Sequence, residues 1–228
     1  MVDFTGGTWR SLIDGSEVSA IPDSVVGRFN AKDEDSTGPL STISDQVGPF
    51  DLSGSCDVID DGINGNRSYR FDGSETMRTT DTVTTTPRYG YIFVRQQQEE
   101  PFSNRFLAGG GFDRNFGVQD DQVAGDGEFD LFIDGDNYAR DVGTVTTDPE
   151  IIEHWHDDGT SEFIKNGTVL ATESTPTPDL EGFALSSRGD GDLTIQQDVG
   201  EAFLVVDWAD GDREQFRDIL SDSWGVSI

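Results

Sequence analysis

The chain has 228 residues, of which 33% are hydrophobic and 27 are glycines, a composition that predicts many turns around a lean core. Against 45 acidic residues stand only 15 basic ones, giving a formal net charge of −30, and Lys32 and Lys165 are the only lysines. This charge excludes a nucleic-acid partner, because no basic patch is available to neutralise phosphates. A carboxylate-rich, lysine-poor surface favours a strongly saline medium, in which counterions screen its self-repulsion.

The first third of the chain predicts turn-rich segments and one clear strand. Residues 1–23 are a lead rich in Gly, Thr and Asp. Residues 31–55 are so rich in Asp, Ser, Gly and Pro that we expect a long surface loop. An Asn-Gly turn at 64–65 precedes a strand over residues 67–71, whose last aromatic is expected to enter the core before a tight turn at Gly73.

The middle of the chain predicts strand after strand. Residues 89–94 are apolar on both alternations, as expected for a strand buried on both faces. The triple glycine 109–111 opens no helix that could hold a phosphate, so we expect a turn there. Residues 128–134 alternate between an apolar face and an acidic face that we expect to be open to solvent. The apolar set is Phe129, Leu131 and Ile133, and the acidic set is Glu128, Asp130 and Asp134.

Residues 151–170 predict a hairpin. The Asn-Gly at 166–167 lies between two apolar strands and favours a type I′ turn, which needs positive φ at both positions. Alternation directs Trp155 towards the core, where we expect it rather than at a sugar-binding surface. His154 and His156 share the other face, and we expect a polar surface pair.

The C-terminal segment predicts a strand followed by a helix. Residues 202–206 are an apolar run typical of a buried strand. After a turn at 209–211 the apolar period changes to three and four residues, which predicts a helix with one apolar face. Gly225 is placed to end this helix in the left-handed conformation, with Val226 as its apolar partner. The acids expected at the helix N-terminus are Asp210, Asp212 and Glu214, and the apolar face contains Phe216, Ile219, Leu220 and Trp224.

These segments, taken in order, resemble the laminin-G-like jelly rolls of the concanavalin A-like lectin and glucanase superfamily. The matching motifs are the Asp-Gly opening at 14–23, Tyr-Arg-Phe-Asp-Gly at 69–73, Trp155 with Asp-Asp-Gly at 157–159, Asn-Gly at 166–167, the strand at 182–188 and the closing strand and helix. The resemblance implies an all-β fold, an antiparallel two-sheet jelly-roll sandwich with a short C-terminal helix. It runs from residue 14 to residue 226, so we expect a single domain over residues 1–228.

The resemblance also bears on catalysis. Related glucanases carry three carboxylates on one strand, in an E.D..E or E.D.E pattern. Glu128 and Asp130 fit the first two positions, but Phe132 and Ile133 stand where the third acid is needed. Because the acid and nucleophile pair is incomplete, we expect no enzymatic activity and assign no catalytic residue. A glucanase-type glycoside hydrolase stays open as the alternative.

A metal site is the other candidate chemistry. Asp134, Asp136 and Asn137 cluster oxygen ligands in one loop, and the resemblance implies calcium at such loops. Calcium is therefore the one cofactor we consider, with these three residues as its ligands. His154 and His156 could ligate zinc, but no third ligand is suggested by spacing.

The single cysteine and the two glycosylation sequons give little indication of function. Cys56 is the only cysteine, so an internal disulfide is excluded, and the two distant histidines make a weak nucleophilic dyad with it. Two glycosylation sequons begin at Asn66 and Asn166, and the second asparagine already has a role in its turn.

The expected function follows from a conflict between the resemblance and the absence of a secretion signal. Laminin-G-like domains usually act outside cells, yet the sequence has no apolar stretch suited to a signal peptide or a membrane span. A virion protein resolves this, because it is assembled in the host cytoplasm and exposed after release. We therefore expect a non-enzymatic virion structural protein, namely a capsid turret, spike or tail-fibre component, on the surface of a virus of a halophilic host. Its expected partners are other virion proteins and a host surface glycan or glycoprotein, in a homo-oligomer without membrane insertion. A cellular adhesin or lectin domain is the second alternative.

Overall fold

The computed structural model describes residues 2–5, 8–11, 17–18, 21–84, 86–98, 105–110, 116–120, 128–133, 136–139, 142–176, 179–187, 192, 194–209 and 211–228. Within these ranges the chain is antiparallel β-sheet with one α-helix at its C-terminal end. The all-β class predicted from the sequence is therefore confirmed.

The strands occupy most of the described residues. They are β1 (Val2–Thr5), β2 (Thr8–Ser11), β3 (Glu17–Val18), β4 (Val25–Asn30), β5 (Gly38–Ile43), β6 (Leu52–Ile59), β7 (Ser68–Asp72), β8 (Met77–Thr84), β9 (Arg88–Gln97), β10 (Arg105–Gly110), β11 (Phe116–Asp120), β12 (Phe129–Ile133), β13 (Asp136–Ala139), β14 (Glu150–Asp157), β15 (Thr160–Lys165), β16 (Thr168–Ser174), β17 (Leu180–Leu185) and β18 (Gln196–Val206). The helix α1 spans Asp212–Trp224, and two 3₁₀ turns span Ala31–Asp33 and Ile63–Gly65.

Two hydrogen-bonded sheets are described. Strands β1, β2 and β3 form a small sheet of their own, and the other fifteen strands form one continuous ladder. Its order is β13-β12-β11-β10-β17-β8-β6-β7-β18-β9-β14-β15-β16, with β4 beside β18 and β5 beside β6. Strand β18 has 11 residues and pairs with β4, β7 and β9.

Strands that are distant in this ladder face each other across an inner core. Phe29 of β4 stacks on Phe183 of β17 with ring centroids 6.3 Å apart, and Tyr91 of β9 lies 5.5 Å from the same ring. Farther along, Phe129 of β12 meets Phe163 of β15 edge-on at 5.4 Å. Each fully buried aromatic contributes about 1.5–3 kcal/mol, so these contacts hold the ladder folded on itself.

A second apolar cluster lies on the opposite face of β9, β14 and β18, under α1. Phe216, Leu220 and Trp224 are buried there as the helical period predicts, and Ile219 is half-buried. Phe203 of β18 packs on Phe216 with centroids 5.5 Å apart. Among the described residues, no helix is both long and apolar enough to cross a membrane.

The surface loop predicted over residues 31–55 is wrong. A 3₁₀ turn, β5 and the start of β6 occupy most of it. Ile43, Leu52 and Cys56 are buried, whereas the Ser, Gly and Asp residues between them face outward. The inward positions are too few to outweigh a turn-like composition when the sequence is considered alone.

Two further expectations need correction. Gly109 and Gly110 belong to β10 rather than to a turn, and Gly111 lies outside the described residues. At the start of α1 the N-cap is Gly211, and no side chain caps the helix. Asp212 instead accepts hydrogen bonds from the Ala209 N–H at 2.9 Å and the Ser24 hydroxyl at 2.8 Å, while Asp210 is not among the described residues.

The predicted turns are confirmed at positions where a positive φ favours glycine or asparagine. Asn166 and Gly167 have φ of 46° and 76°, as a type I′ turn requires. Gly225 ends α1 with φ of 66°, and Val226 is buried after it. Gly73 has φ of 90° directly after the strand whose Phe71 enters the core.

Candidate functional site

A polar groove of about 760 Å³ opens on the outward surface of β6 and β8. Alternation explains its chemistry, because Leu52 and Met77 point into the core while the neighbouring Ser53 and Arg78 point outward. The groove is lined by Asp51, Ser53, Gly54, Thr76, Arg78, Thr79, Thr80, Asp81 and Asp192.

The groove exists because β6 and β8 meet only briefly. They pair at two positions, Ser53 with Arg78 and Gly54 with Met77, after which β6 continues beside β7. The other edge of β8 pairs with β17 from Met77 to Thr84. At Gly54 the strands are so close that a Cβ atom would lie 1.9 Å from the Thr76 carbonyl oxygen. Only glycine fits there, and beyond this short contact β6 and β8 are no longer paired with each other.

Backbone contacts fix part of the groove wall. The Asp51 carboxylate accepts a hydrogen bond from the Asp45 N–H at 2.8 Å, and the Thr79 hydroxyl accepts one from the Asp81 N–H at 3.3 Å. The groove therefore presents carboxylates and hydroxyls whose positions are set by loops and strand ends. Its described lining has three carboxylates against one guanidinium group and no aromatic side chain, which disfavours an anionic ligand and suits a neutral polyhydroxyl one.

Asp130 lies on β12, farther along the same part of the ladder, and Glu128 directly precedes that strand in a bridge to Thr144. Phe129 and Leu131 are in the core, as the alternation predicts. Asp130 is only 2% exposed and Glu128 is half-buried, so the open acidic face expected there is wrong. Four strand spacings, about 19 Å, separate β12 from β8.

The predicted calcium ligands cannot be placed. Asp134 lies outside the described residues, and so do the side chains of Asp136 and Asn137. Within the described part of the chain, no group of three or more His, Cys, Asp or Glu side chains is arranged to hold a metal ion. The calcium site stays a prediction.

The two histidines are not a surface pair. Both are fully buried, because their face of β14 is turned towards the inner core. The His154 Nδ1 lies 3.4 Å from the Tyr91 hydroxyl, and the His156 Nδ1 lies 3.0 Å from the Ser161 hydroxyl. Burial lowers the pKa of His154 well below its usual value and also lowers the pKa of His156, so neutral rings are favoured.

Two buried carboxylates under α1 went unnoticed in the sequence. Glu153 accepts two hydrogen bonds from Arg217, at 2.6 and 3.0 Å, and one from the Trp155 indole N–H at 2.8 Å. Glu201 accepts from Arg28 at 2.7 Å and from the Trp224 indole at 3.1 Å. These contacts anchor the helix to β14 and β18, and Trp155 is a core residue as predicted.

The other reactive groups are used by the fold. Cys56 is buried, and burial raises the pKa of its thiol, which disfavours a nucleophilic thiolate. The Asn166 side chain accepts a hydrogen bond from the Ile151 N–H at 2.7 Å, and the Asn66 amide donates to the Ile63 carbonyl at 3.1 Å.

No protein-family model matches the chain, and no curated protein sequence matches it. Solved structures do. Domain 4 of AbnA, a GH43 extracellular arabinanase from Geobacillus stearothermophilus in complex with arabinotriose, matches with a TM-score of 0.66 and 16% identity, over 86% of this chain and 98% of that one. A GH54 α-L-arabinofuranosidase soaked with a cyclic sulfate inhibitor matches with a TM-score of 0.67 and 10% identity, over 88% and 59%. Trypanosoma rangeli sialidase matches with a TM-score of 0.68 and 15% identity, over 94% and 35%.

The chain thus spans nearly all of the arabinanase domain, but 59% of the arabinofuranosidase and 35% of the sialidase. At these identities the likeness establishes a shared fold. It also contradicts the expectation that the chain is not an enzyme, because the similar structures are glycoside hydrolases or a domain of one. That expectation depended on one three-acid strand pattern, whereas glycoside cleavage needs only two carboxyl groups at a suitable separation, from whichever strands supply them.

Proposed function

We propose that this chain is the glycan-binding β-sandwich of a glycoside hydrolase and that it holds an oligosaccharide in the polar groove. The observation that carries the proposal is the groove itself, an open site of about 760 Å³ whose described lining is hydroxyls, carboxylates and one guanidinium group. Such groups hydrogen-bond to the paired hydroxyls of a sugar, and the volume is typical of small-molecule sites.

The comparison with solved structures supports the ligand class. The chain corresponds to nearly the whole of an arabinanase domain whose structure contains arabinotriose. The finer architecture in this proposal is the laminin-G-like, two-sheet jelly roll, with the groove on its outer sheet face. The virion role and the halophilic host stay predictions, since the similar structures described above are carbohydrate-active proteins.

Cleavage by the chain itself is a second candidate function, assigned to Glu128 and Asp130. Glu128 forms a bridge to Thr144 directly before β12, and Asp130 lies two positions later on that strand, so their Cα atoms lie about 6.7 Å apart. The carboxyl groups of glycosidases lie about 5–5.5 Å apart in retaining enzymes and 6.5–9.5 Å apart in inverting ones, a range that side chains with this Cα spacing can reach.

The binding test uses isothermal titration in 2 M NaCl with arabinotriose, xylotriose, sialyllactose and a β-glucan trisaccharide. We expect at least one to bind, and Thr80→Tyr to abolish binding because the ring would fill the groove. Thr172→Tyr is the matched control, since Thr172 is an exposed strand threonine on β16, away from the groove. Binding that survives Thr80→Tyr, or no binding of any of the four sugars, would rule out the groove.

The cleavage test follows product release from the same sugars by chromatography. Glu128→Gln and Asp130→Asn are each expected to abolish release while binding in the groove persists. Release that continues in both variants would show that the assignment to Glu128 and Asp130 is wrong.

A further inference from the structure

A second opening of about 520 Å³ lies between the β14–β15 hairpin and the start of α1. We call it the tryptophan cavity, because two indole rings lie beneath it, 5.0 Å apart and edge to face, with only 1% of Trp155 and 4% of Trp208 exposed. The side chains that define it are Arg88, Trp155, Asp157, Glu162, Trp208 and Arg213.

The cavity is separate from the polar groove. Trp155 belongs to the apolar cluster under α1, whereas Met77, on the strand that lines the groove, belongs to the inner core. The two openings therefore face away from each other, with the inner core between them.

Each indole is covered by a guanidinium group that a carboxylate holds in place. Arg88 lies 4.7 Å from the Trp208 ring centroid and 3.0 Å from Asp157. Arg213 lies 5.2 Å from the Trp155 centroid, and it pairs with a carboxylate of β15 at 2.7 Å. These paired planar groups supply hydrogen-bond donors and acceptors side by side over an apolar floor.

The charge of the lining selects the ligand class. Three carboxylates, those of Asp157, Glu162 and Glu214, nearly balance the two guanidinium groups, so neither a phosphate nor a simple cation is favoured. The Nε of Arg88 is buried and has no hydrogen-bond partner within the described part of the chain, which leaves one donor beside the cavity unused. Thr160 adds an exposed hydroxyl at the rim.

We propose that the tryptophan cavity is a second binding site, which takes a single neutral sugar ring. The proposal rests on the proposed function for its ligand class, but its position and its lining are independent of the groove. A chain with both sites would hold two glycan segments on opposite faces, so its avidity for a branched or crowded glycan would exceed the affinity of either site.

The test is a titration of the ¹⁵N-labelled protein in 2 M NaCl with L-arabinose, D-xylose, D-glucose and D-galactose, observing the assigned indole N–H signals of Trp155 and Trp208. At least one sugar is expected to shift these signals saturably, with a dissociation constant on the order of 1 mM for a ligand of this size. Thr160→Tyr, which places a ring in the cavity, should remove the shift. Thr80→Tyr, which fills the groove, should leave it unchanged.

The variants separate the two proposals. A shift that survives Thr160→Tyr, or that Thr80→Tyr removes, overturns the cavity site. So does the absence of any shift at sugar concentrations up to about 100 mM. Loss of trisaccharide binding in Thr80→Tyr with the indole shift intact supports both sites. An indole shift in a protein that binds none of the trisaccharides supports the cavity site and rules out the groove site. Unchanged thermal melting of both variants shows that the substitutions act locally.

Discussion

The buried carboxylates under α1 show how single residues fix the helix in place. Glu153 has no exposed surface, and the guanidinium fork of Arg217 supplies two of the three hydrogen bonds that it receives. A buried charge without its partner is costly, whereas an exposed ion pair is worth little. The two kinds of pair can be compared directly in this chain.

We expect Arg217→Ala to lower the free energy of unfolding by about 3–5 kcal/mol, because Glu153 would remain buried with only the Trp155 indole as partner. The measurement is urea unfolding in 2 M NaCl. Asp60→Ala is the control, since it breaks an ion pair with Arg67 in which the Asp60 side chain is 69% exposed, and it should cost less than about 1 kcal/mol. Equal losses in the two variants would contradict a specific role for the buried pair.

The buried histidines make stability depend on pH. Burial lowers the pKa of His154 in the folded state, so below its ordinary value of 6.5 the unfolded chain binds more protons. Stability should therefore fall as the pH falls from about 6.5 to 5, by up to about 1.4 kcal/mol per pH unit for one histidine. His156, whose pKa is also lowered, adds a change of the same sign.

His154→Phe keeps a ring beside Tyr91 and removes one titrating group. Its unfolding free energy should decline less steeply than that of the wild type between pH 6.5 and 5, measured by urea unfolding at fixed salt. Since the two proteins share every other titrating group, the difference in slope isolates His154. Identical slopes would mean that His154 takes up protons equally in the folded and unfolded states, which would contradict a lowered pKa.

At the scale of elements, local signals were the ones that the sequence could reveal. The hairpin at 166–167 and the helix end at Gly225 were predicted correctly, because both depend on residue types and on an apolar spacing that neighbouring positions of the sequence show. Strands β5 and β6 were missed because their inward positions alternate with turn-forming residues. The polar groove could not be predicted, since it depends on where β6 and β8 meet, and Gly54 gave no sign of its partner.

The docking of α1 on β18 gives a prediction at the same scale. A Cβ atom on Gly200 would lie 2.5 Å from the Trp224 ring, so Gly200→Ala should cost about 1–3 kcal/mol in unfolding free energy. Trp224→Ala should cost about 3–5 kcal/mol, because the ring is buried and its indole N–H bonds to Glu201. In the double variant the added methyl has room, so the two losses should not add. Additive losses would contradict the contact, and exposed Ser223→Ala should change nothing.

At the scale of the whole molecule, the positive charges that the structure describes are held in contacts with carboxylates, carbonyls and aromatic rings. Among the described residues, eight lysine and arginine side chains form ion pairs with carboxylates. Lys32 donates to the Ser223 carbonyl at the end of α1 and lies 4.2 Å from the Trp224 ring centroid. Lys165 pairs with buried Glu150 at 2.6 Å. Over the described residues, the remaining surface charge is therefore almost entirely acidic, and these carboxylates repel one another.

That imbalance predicts a strong response to salt. With a net charge of −30, the melting temperature should rise by roughly 10 °C or more between 0.1 and 2 M NaCl, as the screening length falls from about 10 Å to less than 3 Å. Sucrose at matched osmolality stabilises without screening and should give a smaller rise. A variant with Asp35, Asp61, Asp218 and Asp222 changed to Asn, all exposed in the structure, should melt higher than the wild type at 0.1 M NaCl and at the same temperature in 2 M NaCl. Calorimetry checks both, and an advantage of this variant that persists in 2 M NaCl would mean that its gain does not come from relieved repulsion.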